Sequence, residues 1–139
     1  MGCNFSCRFC QNHSISMIHA ESDIRGEHVS PRQLVDTALK NHAFSISYTY
    51  TEPTVFFELV LETAQLAKEA GLRNVLVSNG YMTLQALTML GPFLDAANID
   101  LKSFNDDFYK KYCHARLQPV LATLSALKAM GIWLEVTTL

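Results

Sequence analysis

The chain has 139 residues, 49% of them hydrophobic and 17% charged, and its 11 Lys and Arg against 13 Asp and Glu leave a formal charge of -2. That is the size of one domain with enough apolar content for a core, and a charge this small and this evenly spread gives no electrostatic footprint for nucleic acid or an anionic membrane. No apolar stretch approaches the ~18 residues of a membrane span and no charged segment leads into an export-type apolar run, so the four cysteines read as reduced thiols of a soluble, cytoplasmic protein whose partners are small molecules or proteins.

The chain opens on C-N-F-S-C-R-F-C, which sets Cys3, Cys7 and Cys10 in the spacing C-x3-C-x2-C with the aromatic Phe9 ahead of the third thiol. A short irregular loop of this kind turns its sulfurs toward one soft metal or cluster. Structural zinc sites and ferredoxin-type clusters use four protein ligands, whereas only three thiols are local here, and a metal position left open is the mark of a catalytic centre. A zinc knuckle completed by His13 or Cys113 and an accidental cysteine cluster in a reduced cytosolic protein stand as the alternatives. Residues 14 to 29 carry Ser14, Ser16, His19, Glu21, Asp23, Arg25 and Gly26 without a sustained period and read as a loop covering the cysteines, in which His13 and His19 are further candidate ligands.

Ser30 and Pro31 start a helix, because serine caps free amides and proline in the first turn forfeits no hydrogen bond. The helix runs to about His42 with Leu34, Val35, Ala38 and Leu39 on one face. Phe44 to Tyr50 alternates as a strand and leads into Thr51, Glu52 and Pro53. A helix from Thr54 to Ala70 places Val55, Leu59, Leu66 and Ala70 on its apolar stripe, and Gly71 ends it. Arg73 to Ser78 is a strand, Asn79-Gly80 turns it, and Thr83 to Leu90 is a brief helix stopped by Gly91-Pro92. The strand Ala97 to Leu101, a short helix opened by Asn105, Asp106 and Asp107, a helix from Gln118 to Met130 and a strand from Ile132 to Leu139 complete the chain.

Strand and helix thus alternate four times with crossovers long enough for parallel pairing, which predicts an α/β sheet with helices outside, in the form of a partial (β/α) TIM-type barrel. The domain is expected to be one unit over residues 1–139, a cysteine loop at 1–14 followed by about four β/α units. With Cys3 near the start and a strand at the end, it is expected to be truncated at both ends. In a parallel barrel the loops after the strands share one rim, so Glu52, Ser78, Asn79, Asp100, Lys102, Thr137 and Thr138 should converge there with the cysteine loop.

The three-cysteine motif resembles that of the radical S-adenosylmethionine (SAM) enzymes. The continuation Q-N-H-S, the Y-T-E-P stretch and D-L-K-S-F-N-D-D-F-Y-K-K-Y are similar to one branch, the AmmeMemoRadiSam-system radical SAM proteins, relatives of pyruvate formate-lyase activating enzymes. The resemblance implies a 4Fe-4S cluster on Cys3, Cys7 and Cys10 whose open iron binds SAM, and reductive cleavage of SAM to methionine and a 5′-deoxyadenosyl radical that abstracts hydrogen from a substrate. A one-electron reductant of flavodoxin or ferredoxin type is the implied partner. Donor and acceptor matching then suits Glu52 to the SAM amino group, Lys102 to its carboxylate with Asp100 beside it, and Ser78 and Asn79 to hydroxyls or polar edges. Y-T-E-P replaces a Gly-Gly-Glu-type motif without either glycine, and His114 stands where the branch would have glycine. Cys113 is expected to be no ligand. The rivals are a glycyl-radical enzyme activating enzyme, whose substrate is a glycine of a partner protein, and a non-catalytic iron-sulfur or zinc module. Glu52 also has a purely structural reading as the residue that opens the following helix.

Overall fold

The computed structural model describes residues 1–18 and 26–138. His19, Glu21, Asp23 and Arg25 of the expected covering loop lie outside the described residues. After the cysteine loop and a single turn, α1 (His13–Ser16), come α2 (Pro31–Lys40), β1 (Ser45–Tyr48), α3 (Phe57–Glu69), β2 (Arg73–Ser78), α4 (Leu84–Leu90), β3 (Ala96–Leu101), α5 (Asp106–Phe108), α6 (Leu117–Ala129) and β4 (Trp133–Thr138). The strands form one sheet in the order β1-β2-β3-β4. Every pairing is parallel, with Ser45 opposite Arg73, Val75 opposite Ala96 and Ala96 opposite Trp133. The sheet is open.

Local chemistry explains most boundaries. Ser30 accepts from the Gln33 amide while the Gln33 side chain accepts from the Ser30 amide, a capping box that fixes the start of α2 with Pro31 in its first turn. Thr83 caps α4 by accepting from the Ala86 amide (3.1 Å), and Asn105 caps α5 by accepting from the amides of Asp107 and Phe108. Two helical segments differ from the expected form. The stretch Pro53–Phe56 is a tight 3-10 turn ahead of α3, and α5 widens into a π-helical turn, Tyr109–Cys113.

The buried side of α3 also differs: it is Val60, Thr63, Ala64 and Ala67, while Val55 and Ala70 are exposed. The helix presses its small residues to the sheet because Asn74 of β2, fully buried, donates to the Ala64 carbonyl (2.9 Å), and a larger residue there would hold the backbone away. The same Asn74 donates to the Phe93 carbonyl (3.0 Å) and accepts from the Tyr48 hydroxyl (2.8 Å), so every polar atom of its side chain is paired. Above it the core runs through Leu76, Leu87, Leu90, Ile99, Val120 and Leu127 and reaches the cysteine loop through Phe5, Cys7 and Tyr109. A smaller cluster of Val35, Ala67 and Leu72 seats α2.

Candidate functional site

Two backbone hydrogen bonds join the cysteine loop to the π-helical turn. The Ser6 and Arg8 amides donate to the carbonyls of Cys113 (3.2 Å) and Tyr112 (2.9 Å), so the loop runs beside the π-helical turn like a short strand. Phe5 is wedged edge-on between Tyr81 (5.2 Å) and Tyr109 (6.1 Å), and Phe9 lies against Phe108 (5.8 Å). The Glu52 amide donates to the Gly2 carbonyl (3.1 Å), which ties the loop to the end of β1 as well. The three thiols are therefore held at the carboxyl ends of the strands.

The rim residues divide into two groups. In the first, the Glu52 carboxylate is 2% exposed and takes four hydrogen bonds. Its Oε1 accepts from the Thr54 amide (3.2 Å), the Thr54 hydroxyl (2.8 Å) and the Ser78 hydroxyl (2.7 Å), and its Oε2 accepts from the Asn79 amide (2.9 Å). Burial pushes its pKa up and these four donors pull against that rise. Glu52 thus caps the 3-10 turn, the helix-opening arrangement, and clamps the ends of β1 and β2 together. Ser78 is equally committed, since its hydroxyl also accepts from the Gly80 amide (3.0 Å). The Asn79 side-chain amide donates to Asn4 Oδ1 (2.8 Å) and to the Cys3 sulfur (3.6 Å), while its carbonyl oxygen accepts from the Tyr81 amide (2.8 Å).

In the second group, Asp100 and Lys102 form an ion pair at 2.7 Å, and both side chains are partly exposed. Lys102 lies one residue past the end of β3, and the ion pair itself sets the two side chains on one side of the chain. The Lys102 ammonium lies within electrostatic reach of Cys7 and Cys113, whose thiols face each other in the core. Burial pushes the Cys7 thiol up to about 12, the Cys113 contact adds to the rise, and the Lys102 charge opposes it. Cys3 is raised chiefly by burial, with the Phe5 amide pulling it down. Cys10 pairs with the Ser16 hydroxyl at 3.3 Å.

Thr137 and Thr138 end the exposed strand β4, and Thr137 donates to Asn98 rather than into the rim. His13 is exposed on α1. Among the described residues no three His, Cys, Asp or Glu side chains converge as a ready metal position. The donor set nevertheless fits a cluster in kind and number, three soft thiols on one eight-residue stretch with Cys3 already accepting N–H bonds from Phe5 (3.4 Å) and Asn79.

Sequence reasoning missed Asn4. Its side-chain nitrogen donates to the Tyr81 carbonyl (2.8 Å) and the Thr54 hydroxyl (3.2 Å), and its oxygen accepts from Asn79, so one side chain joins the cysteine loop to two strand ends. Only its place directly after Cys3 marks it in the sequence. Of the three positions where the resemblance set glycine, two keep a left-handed backbone without it, Tyr50 with φ 73° and His114 with φ 55°, and Thr51 does not. The Asn12 side chain donates to the Tyr50 carbonyl (2.8 Å) and holds the first of these.

The sequence pattern described as the Radical SAM superfamily matches residues 1–139. An uncharacterized protein of Methanocaldococcus jannaschii, MJ0808, is 46% identical over 99% of this chain, and the chain spans 40% of that relative's length. Streptococcus suis SuiB bound to S-adenosylmethionine has a similar fold, with a TM-score of 0.70 at 14% identity, covering 98% of this chain and 30% of SuiB. A domain of pyruvate-formate lyase-activating enzyme from Bacteroides vulgatus aligns with a TM-score of 0.61 at 12% identity, over 68% of this chain and 58% of that domain. These folds identify the open parallel sheet as an arc of a TIM-type barrel. With a family pattern that covers its whole length and carries its three-cysteine loop, the chain belongs to the radical SAM superfamily.

Proposed function

We propose that residues 1–139 act as one radical SAM core in which Cys3, Cys7 and Cys10 hold a 4Fe-4S cluster and the rim of the sheet holds SAM. The observation that carries this reading is the fastening of the cysteine loop to the strand ends, by Asn4 and Glu52 on one side and by the Cys113 and Tyr112 carbonyls on the other. The cluster and SAM together supply reductive cleavage of SAM to methionine and a 5′-deoxyadenosyl radical for hydrogen abstraction.

The chain's own residues bind and orient. Lys102 offers its ammonium to the SAM carboxylate and Asp100 aims it. Glu52 retains acceptor capacity on Oε2 for the amino group, although most of its capacity is spent on the protein, and Ser78 and Asn79 shape the same wall. Phe5 and Tyr109 keep water from the buried side of the loop. The reductant is a flavodoxin or ferredoxin, and the substrate is a small molecule or a protein.

Anaerobic reconstitution tests the reading. The expected result is about four irons and four sulfides per chain, in keeping with a 4Fe-4S cluster, and an electron paramagnetic resonance (EPR) signal that changes when SAM is added. A single tight zinc with no iron would replace this reading with a second one, favoured by the Cys7–Cys113 contact, in which four thiols enclose a structural metal.

A further inference from the structure

The three loop cysteines are not in equivalent surroundings. The Cys3 sulfur is approached by two nitrogen donors, the Phe5 amide at 3.4 Å and the Asn79 side-chain amide at 3.6 Å. Cys7 faces a thiol and Cys10 a hydroxyl. The Asn79 donor is also well fixed. Its carbonyl oxygen accepts from the Tyr81 amide, its nitrogen is shared between Cys3 and Asn4, and its backbone amide is tied to Glu52. Asn4 in turn is anchored to Tyr81 and Thr54, so the amide plane that meets Cys3 is set by both neighbouring strand ends. Asn79 is only 6% exposed, which leaves little water to compete for its N–H groups.

An N–H aimed at a ligating sulfur withdraws electron density from it, and this stabilises the more negative, reduced state of an iron-sulfur centre more than the oxidised one. We propose that Asn79 is a positioning residue for Cys3, oriented by Asn4, whose amide N–H bonds the Cys3 sulfur and raises the reduction potential of the centre that this loop holds. The assignment rests on the proposed cluster and turns Asn79 from a contact of SAM into a contact of the ligand. It also gives Cys3, rather than Cys7 or Cys10, the weakest electron donation of the three.

The test is a dithionite titration of the reconstituted protein, followed by EPR, with iron and sulfide counted in parallel. Asn79→Leu keeps the side-chain volume and removes the donor without adding charge, and Asn4→Leu removes only the orienting partner. The expected result is unchanged iron content with a midpoint potential more negative than wild type in Asn79→Leu and a shift of the same sign, smaller, in Asn4→Leu. Equal potentials in Asn79→Leu and wild type, at equal iron content, overturn the assignment. Should Asn79→Leu fail to load iron, wild-type protein grown on asparagine labelled with ¹⁵N in the side chain decides the matter: pulsed EPR detects a weak ¹⁵N coupling to the reduced cluster if the bond exists, and its absence overturns the proposal. Wild-type protein that takes up no iron rejects the cluster reading itself, a result distinct from either outcome for Asn79.

Discussion

At the scale of single residues, the site is organised by groups that face inward more than by groups that face a ligand. Glu52, Ser78 and Asn79 use most of their hydrogen-bonding capacity on one another and on the cysteine loop, which leaves the Asp100–Lys102 pair as the polar groups best exposed to a ligand. Lys102→Met keeps side-chain length and removes the charge, so losing a charge-assisted hydrogen bond should weaken SAM binding by about 1.5 to 3 kcal/mol, roughly tenfold or more in affinity. Isothermal titration with the reconstituted protein measures it, and unchanged affinity at full iron content would reduce the pair to a structural salt bridge. The two facing thiols separate in the same way. Cys7→Ala should abolish iron uptake, whereas Cys113→Ser, which alters a fully buried side chain beside Tyr109 and Ala115, should retain it; equal loss in both would make Cys113 a ligand.

At the scale of elements, the connection between β3 and α6 is the least regular part of the rim and the one that touches the cysteine loop. It is held by Asp106, whose Oδ1 accepts from the Leu117 amide (2.9 Å) at the start of α6 and whose carboxylate also meets Arg116 (3.1 Å) and Lys110 (3.0 Å). Chiefly through the Leu117 amide and then Lys110, its pKa is lowered from 3.8 to about 2. The folded state therefore holds this proton less tightly than the unfolded one, so the group stabilises the fold above its ordinary pKa, and that stability is lost as pH falls from 3.8 toward 2. Replacing Asp106 with Asn should flatten the dependence of the denaturation midpoint on pH in that window and leave the neutral region changed only by the lost ion pairs. An acid limb as steep as that of wild type would show that other carboxylates govern it.

At the neighbouring strand end, the Asn79-Gly80 turn after β2 has a structural requirement of its own. Gly80 has φ 73°, and a Cβ there would stand 2.8 Å from Ile99 Cγ2 and 3.3 Å from Val120 Cγ1. Turn chemistry made this dipeptide legible as a turn, but its closeness to the core, which only the packed sheet shows, is what excludes any other residue.

At the scale of the whole molecule, four parallel strands make an arc with β1 and β4 as its edges, and β4 carries Trp133 and Val136 at 70% and 45% exposure. An exposed edge with apolar side chains is a template for further pairing. The 139-residue chain expressed by itself should therefore self-associate, and Val136→Lys should shift it toward the monomer in sedimentation velocity, because a charge on an edge strand opposes pairing. A wild-type chain that sediments as a monomer across a wide concentration range would count against this.

What the sequence determined by itself is whatever depends on local spacing. The C-x3-C-x2-C loop, the capping of α2 by Ser30 and Gln33, the four strands and their parallel order all follow from residues close together along the chain. Strand pairing needed only the lengths of the crossovers. The tertiary structure decided what depends on which atoms meet across the fold. It turned α3 so that Ala64 meets Asn74, directed Glu52 and Ser78 into each other, brought Cys113 against Cys7, and set Asn4 and Asn79 around Cys3. Periodicity cannot reveal such contacts, because a buried polar side chain goes to whichever unpaired donor or acceptor the packed backbone presents, and for Asn79 those partners lie 75 and 76 positions away in the chain.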